Sequence, residues 1–147
     1  MSQDPVELFQ NYADAFEVGF ATRDWQVVGD LMAEDVTWTT ELPPPMGGTH
    51  VGRDAVIAGV RKSTDGFDRR FDLRMPEITG APAAFPGGVY LPWKVTYTRH
   101  GLPPFVLIGE EWDLFRDGKM VMHHERFHNA RELGAFLQRH HNGLLPA

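Results

Sequence analysis

Apolar side chains near the start of the chain recur at three- and four-residue steps, which is the spacing of one buried helix face. They are Phe9, Tyr12, Ala13, Phe16 and Phe20. A second, shorter helix is predicted after Asp24, with its own apolar side formed by Trp25, Val28, Leu31 and Met32. The pattern therefore predicts two helices in tandem, and similar spacing predicts a third helix over 55–62 and a helical tail at about 130–141.

The rest of the chain alternates apolar and polar residues, as half-buried strands do. A first strand is predicted at 35–40, and further strands at 71–78, 89–99, 105–116 and 120–129. Asp117-Gly118 stands between the last two and is typical of a tight hairpin turn. Helices followed by consecutive antiparallel strands indicate an α+β fold, a cone-shaped curved antiparallel sheet wrapped around the N-terminal helices. The mouth of such a cone is a natural small-molecule pocket.

Length, charge and cysteine content narrow the function classes. A chain of 147 residues suits a single domain, 1–147, that ends in the helical tail. The net charge of -6 would repel phosphate backbones and anionic lipids, so neither a nucleic-acid nor a membrane partner is expected. The absence of cysteine excludes disulfides and thiolate chemistry. The acidic start and the lack of a long apolar run predict a soluble, cytoplasmic protein.

Three stretches resemble one family. They are YADAFEVGFATRDWQVVGDLMAEDVTW, GTHVGRDAVIAGV and LFRDGKMVMHHERF, and they are similar to successive segments of SnoaL-like proteins in the nuclear transport factor 2-like superfamily. The resemblance implies a cystatin-like α+β barrel and a homodimer formed through the outer sheet face. The superfamily includes ketosteroid isomerases, epoxide hydrolases, dehydratases, polyketide cyclases and domains that only bind, so the fold alone does not name a reaction.

Candidate acid–base residues lie on the last strand and its neighbour. Alternation along 120–129 places His123 and Glu125 inside the cone, at the positions where SnoaL-like proteins carry a His-x-Asp pair. The same alternation places His124, Arg126 and His128 outside. On the preceding strand, inward Trp112 and Leu114 would bring Glu110 inward as well, near the position of the oxyanion-side acid of ketosteroid isomerases. A register shifted by one residue would put Glu111 there instead.

The isomerase mechanism itself is not expected. Thr40 stands where the resemblance would put the isomerases' catalytic aspartate, and Phe16 stands where it would put their tyrosine. A metal is not expected either, since His124 and His128 lie roughly 13 Å apart at ~3.3 Å per residue, and His123 points to the opposite face from His124. His123 and Glu125 offer two ligands without a visible third, so the prediction is a site free of metal and cofactor.

The predicted function is acid–base chemistry on a small apolar or polycyclic, oxygenated molecule, by an isomerase, dehydratase or cyclase step. His123 would transfer the proton, Glu125 would orient the imidazole of His123, and Glu110 would act as general acid. The pocket wall would be formed by Phe16, Trp38, Thr40, His50, Trp93, Tyr97, Trp112 and Phe127. The alternative is a non-catalytic binding domain in which the histidine and glutamate form a satisfied buried pair and the tryptophans are core.

The segment LPPPMGGTHVG, residues 42–52, has a further predicted role. Three prolines stiffen one arm, and Gly47-Gly48 provides a hinge, so the segment could close over the mouth as a lid. Turn chemistry alone also explains these residues, because proline and glycine end a strand. Both interpretations stay open at the level of the sequence.

Overall fold

The computed structural model describes residues 3–43 and 46–145 and contains four α-helices and seven strands within them. The helices are α1 (Pro5–Thr22), α2 (Gln26–Gly29), α3 (Arg53–Gly66) and α4 (Ala130–His140). The strands are β1 (Met32–Thr40), β2 (Gly48–Val51), β3 (Leu73–Ile78), β4 (Ala83–Phe85), β5 (Gly88–Thr98), β6 (Phe105–Arg116) and β7 (Lys119–Phe127). Two 3-10 turns, Asp68–Arg70 and Asn142–Leu144, complete the fold.

Helix α1 begins and ends with recognisable local chemistry. The side chain of Asp4 accepts a hydrogen bond from the backbone N–H of Val6 at 3.0 Å, and proline occupies the first turn. The helix ends at Arg23, whose φ of 65° is the left-handed conformation common at helix C-termini. Phe9 and Tyr12 are buried, so the apolar face predicted from spacing is the face that packs into the cone.

The strands form one curved, unclosed sheet in the order β2-β1-β7-β6-β5-β3, with β4 paired to β5. This confirms the α+β prediction, with one correction. Strand β1 pairs with β7 in parallel, whereas the other pairs are antiparallel. The hairpin β6–β7 brings β7 alongside β1, which is far away in sequence and runs in the same direction.

Two short strands were not predicted. Strand β2 falls in the segment predicted as a lid, and β4 falls in the proline- and glycine-rich stretch before β5. Residues Gly48–Val51 pair with β1, and the hydroxyls of Thr39 and Thr49 lie 2.9 Å apart. This half of the segment is therefore a hairpin strand rather than a free arm. Pro44 and Pro45, in the stiff half, lie outside the described residues.

The inner face of β5 agrees with the prediction, whereas that of β6 does not. Val89, Leu91, Trp93, Val95 and Tyr97 are all buried. On β6 the buried or half-buried inward positions are Phe105, Leu107, Gly109, Glu111, Asp113 and Phe115. The inward placement of Glu110 and Trp112 is therefore wrong, and both residues lie on the outer face.

The described residues contain no helix that is both long enough and apolar enough to cross a membrane.

Candidate functional site

The site is built from two adjacent rows of side chains on the inner face of β1, β7 and β6. Trp38 is aligned with His123 on β7, and His123 with Asp113 on β6. One inward position further along, Thr40 is aligned with Glu125, and Glu125 with Glu111. Because aligned residues of neighbouring strands share a face, these six side chains meet inside the cone.

His123 is held at both ring nitrogens and is packed against two aromatic rings. Its Nδ1 lies 2.6 Å from Asp113 Oδ1, and its Nε2 lies 3.4 Å from Glu125 Oε2. The indole of Trp38 stacks on one face of the ring at 3.7 Å between centroids, and Tyr12 stacks at 5.8 Å. A ring fixed in this way can carry a positive charge but cannot rotate towards a ligand.

The exposed fractions of the side chains show which group a ligand could reach. The side chains of Asp113 and His123 are 0% and 2% exposed, whereas that of Glu125 is 19% exposed. Glu125 Oε1 accepts a hydrogen bond from the Thr40 hydroxyl at 2.8 Å. Both of its oxygens are thus positioned by the protein. Glu125 forms the accessible edge of the cluster, and His123 and Asp113 lie behind it.

Opposing effects act on the protonation of His123. Burial alone would lower the pKa of the imidazole, but the charges of Asp113 and Glu111 and the hydrogen bonds to Asp113 and Glu125 outweigh it. The pKa of His123 is therefore held well above its usual value, which favours the imidazolium. With both ring nitrogens protonated, the ring donates to Asp113 on one side and faces Glu125 on the other.

Glu111 is the second perturbed group. Burial, followed by the charge of Asp113, raises its pKa well above the usual value, although the charge of His123 opposes this. Glu111 Oε2 lies 3.2 Å from His123 Nδ1, but that nitrogen is directed at Asp113 Oδ1. A side-chain hydrogen bond with Asp113 also raises the pKa of Glu111, so the protonated, neutral form of Glu111 is favoured.

Two members of the cluster were missed by the sequence analysis. Asp113 was predicted to point outward, because its strand was assigned the opposite register. Tyr12 was recognised only as part of an apolar helix face. Burial and the charges of Glu111, Asp113 and Glu125 raise the pKa of Tyr12 well above its usual value. A tyrosine among phenylalanines on a buried helix face was the available signal, since a buried hydroxyl requires polar surroundings.

Four of the predicted wall residues lie close to this cluster or beyond it on the inner face. Trp93 packs edge-on against Phe127 at 5.6 Å. The hydroxyl of Tyr97 donates to Asp68 at 3.0 Å, in a second polar group with Arg74. Phe16 contacts both Tyr12 and the guanidinium of Arg74.

Three other predicted residues lie elsewhere. Glu110 accepts a hydrogen bond from Tyr90 at 2.7 Å on the outer face, where Trp112 packs against Tyr90 and Arg126. The register of β6 separates Glu110 from His123, so Glu110 cannot act there as the predicted general acid. Glu111 lies at the inward position and becomes the candidate for that role. His50 lies against Gly59 of α3, where a Cβ atom would come within 2.7 Å of its Nε2.

A metal-ligand set that motif spacing did not reveal exists across the strands. Glu111, Asp113 and His123 each offer one ligand atom, and these atoms lie within 4.8 Å of one another. An imidazole and two carboxyl groups are ligand types that divalent metals bind, and metal binding would require the neutral imidazole of His123.

Two surface cavities lie away from the cluster. One, of about 750 Å³, is bordered by Leu8, Phe85 and Phe115 near the hairpin turn, and the other, of about 420 Å³, by Arg23, Arg69, Arg70 and Arg99. Within the described residues, neither is lined by His123, Glu111 or Glu125.

Solved structures of the same fold are numerous, and their sequences differ widely from this one. A protein of the nuclear transport factor 2-like fold and unknown function from Burkholderia pseudomallei shares 20% identity at a TM-score of 0.67, covering 92% of this chain and 98% of its own. TerC, co-crystallised with polyporic acid, shares 18% at a TM-score of 0.67, covering 91% and 98%. A ketosteroid isomerase-like protein from Catenulispora acidiphila, in complex with trimethylamine, shares 19% at a TM-score of 0.57, covering 78% and 82%.

These likenesses establish the fold. No curated protein matches the sequence significantly. The profile of the SnoaL-like domain matches residues 10–123, which is most of the chain and includes most of α1, all of α2 and His123. The chain belongs to the SnoaL-like domain family.

Proposed function

We propose that this protein is an enzyme that performs acid–base chemistry without a cofactor on a small, largely apolar, oxygenated molecule. The reaction would be an isomerase, dehydratase or cyclase step. The observation that carries the proposal is the buried chain Asp113–His123–Glu125, with 2.6 Å and 3.4 Å between its members and the last of them reachable. Buried titratable groups with strongly shifted pKa values are concentrated at functional sites.

Glu125 is the group that would meet the substrate. Its side chain is 19% exposed, against 2% for His123, and its carboxylate is oriented by Thr40 and His123. His123 would position Glu125 and balance its charge, while Asp113 keeps the imidazole protonated. This reverses the roles expected from the sequence, where His123 was the proton carrier and Glu125 its support.

The chemistry requires no further reagent. The Glu125 carboxylate removes a proton from a carbon next to a carbonyl group, the C–H electron pair forms a C=C bond, and the carbonyl π electrons move to the oxygen. In a ketone with a C=C bond one carbon further along, return of the proton from Glu125 to the far end of the conjugated system gives an isomer, and return to the first carbon regenerates the substrate. In heavy water, exchange of the Glu125 proton with solvent before its return leaves deuterium on the first carbon, which can be measured directly.

Deuterium uptake by a panel of small cyclic ketones tests the proposal. We expect wild-type protein to accelerate exchange of the protons next to the carbonyl, and Glu125→Gln to reduce the rate by about 100-fold or more, because a positioned base contributes roughly 10²–10⁴-fold. Glu110→Gln is the matched control, a glutamate on the outer face of the sheet. Its exchange rate should equal that of the wild type.

A non-catalytic binding domain is the second candidate. The observation in its favour is the enclosure of His123, which stacks against Trp38 and Tyr12 and contributes no reachable atom to the mouth. Ketones that bind, as shown by saturation-transfer NMR, but exchange equally fast with wild type and Glu125→Gln would contradict catalysis. The cluster would then be a structural support for the binding cavity.

A further inference from the structure

Unsatisfied polar atoms are concentrated in one part of this molecule. Among the described residues, the buried side-chain atoms without a hydrogen-bond partner are Trp93 Nε1, Glu111 Oε2 and Asp113 Oδ2. All three belong to inward residues of the neighbouring strands β5 and β6. A protonated Glu111 can donate to Asp113, which pairs the two carboxyl groups, so the Trp93 N–H is the buried group that remains without a partner.

The indole N–H of Trp93 is the one group of the three that is a donor in every protonation state. Its residue is 9% exposed, and its ring lies over Gly109, where a Cβ atom would come within 2.6 Å of the indole Cζ2. Phe127 packs edge-on on the neighbouring strand, at 82° between the ring planes. The side chains of Gly109 and Phe127 offer no acceptor, so the N–H finds none in these two neighbours.

Trp93 lies next to the carboxyl groups of Glu111 and Glu125 on the inner face of the sheet. Gly109 is the inward position next to Glu111 on β6, and Phe127 is the inward position next to Glu125 on β7. Glu111 and Glu125 are themselves aligned across the strands. The unpaired indole N–H therefore lies one inward position along the cone from the carboxyl pair.

We propose that Trp93 Nε1–H donates a hydrogen bond to an oxygen of the substrate. An indole N–H donates and cannot accept, so it selects an acceptor oxygen such as that of a carbonyl group and stabilises the negative charge that develops on it. The substrate class is then a cyclic ketone or enone whose oxygen lies on the Trp93 and Glu111 side and whose acidic carbon faces Glu125. This inference rests on the proposed function and extends it from proton transfer to recognition.

The test compares 2-tetralone with tetralin, its hydrocarbon analogue without the oxygen. The four tryptophans give four indole N–H resonances, and Trp93→Phe identifies the one that belongs to Trp93. We expect 2-tetralone to shift this resonance downfield and tetralin to leave it near its starting position. The Trp93→Phe variant should bind 2-tetralone roughly fivefold more weakly, the effect of one lost hydrogen bond, and tetralin about equally well.

Trp112→Phe, on the outer face, is the matched control and should change neither affinity. An unshifted Trp93 resonance in saturated wild-type complex overturns the inference, as does an equal loss of affinity for both compounds in Trp93→Phe. Failure of 2-tetralone to bind at all overturns it too. If the Trp93 resonance responds as expected but Glu125→Gln leaves deuterium exchange unchanged, the oxygen site stands and the proposed catalysis fails.

Discussion

The protonated state of His123 has a measurable consequence for stability. Its imidazole faces Asp113 at 2.6 Å, and both side chains are almost fully buried. The folded protein holds the His123 proton more tightly than the unfolded chain, whose histidine has its pKa near about 6.5. The stabilisation is therefore fully present below about pH 6.5 and is lost as the pH rises through the folded-state pKa of His123.

The size of the effect follows from linkage. Wherever the folded state keeps one proton that the unfolded chain has released, the free energy of unfolding falls by about 1.4 kcal/mol per pH unit. Glu111 acts in the same direction, because its folded pKa is also raised. Its slope begins at lower pH, near the usual value of about 4.3 for glutamate, so the His123 contribution is best isolated above about pH 7.

Urea unfolding at pH values between about 6 and 9 measures this slope. We expect the difference in unfolding free energy between wild type and His123→Gln to shrink by about 1.4 kcal/mol per pH unit above about pH 7. His124→Gln, the outer-face neighbour, is the control and should give a curve parallel to that of the wild type. Parallel curves for wild type and His123→Gln would refute the imidazolium and with it the Asp113–His123–Glu125 chain. If His123→Gln does not fold, NMR titration of the wild-type ring decides the same point.

Two further predictions concern the packing around Gly109 and the outer sheet face. Gly109→Ala should destabilise the protein by about 1–3 kcal/mol, because the new methyl group would lie 2.6 Å from the Trp93 ring and 2.7 Å from the Arg126 carbonyl oxygen. Gly134→Ala, the control in α4 with open space around it, should be neutral or stabilising, and equal thermal shifts in the two variants would contradict this. A homodimer is predicted through the outer sheet face, where Val106 and Ile108 are exposed. Sedimentation at micromolar concentration should then show a dimer for the wild type and a monomer for Ile108→Glu, and a monomeric wild type would contradict the prediction.

The helices and most strands were predictable because their apolar spacing is strong. Helix α1 buries the predicted face, and Asp117-Gly118 forms the predicted turn with positive φ at both residues, 50° and 77°. The parallel pairing of β1 with β7 was not predictable from local pattern, since it joins residues about 85 positions apart, such as Thr40 and Glu125. That pairing is what brings Thr40 and Trp38 to the cluster.

The register of β6 shows why the site itself was only partly predictable. A regular hairpin that pairs Arg116 with Lys119 would continue to pair Trp112 with His123, and Trp112 would then point inward. The pairing shifts by one residue between Leu114 and Phe115, where Val121 of β7 is the extra residue of a β-bulge, so that Asp113 is aligned with His123. One extra residue on β7 thus places Asp113 and Glu111, in place of Trp112 and Glu110, opposite His123 and Glu125.

The apolar pattern favoured the wrong register because, at this point of β6, the inner face is polar and the outer face carries the large apolar side chain. A tryptophan faces outward, where Tyr90, His124 and Arg126 pack around it, and two carboxyl groups face inward. Burying Glu111 and Asp113 costs stability that the single imidazole of His123 only partly returns. A sequence selected for stability alone would place Trp112 inside. The bulge and the inverted polarity therefore favour a functional origin for the cluster, and they coincide at the residues that the proposed chemistry requires.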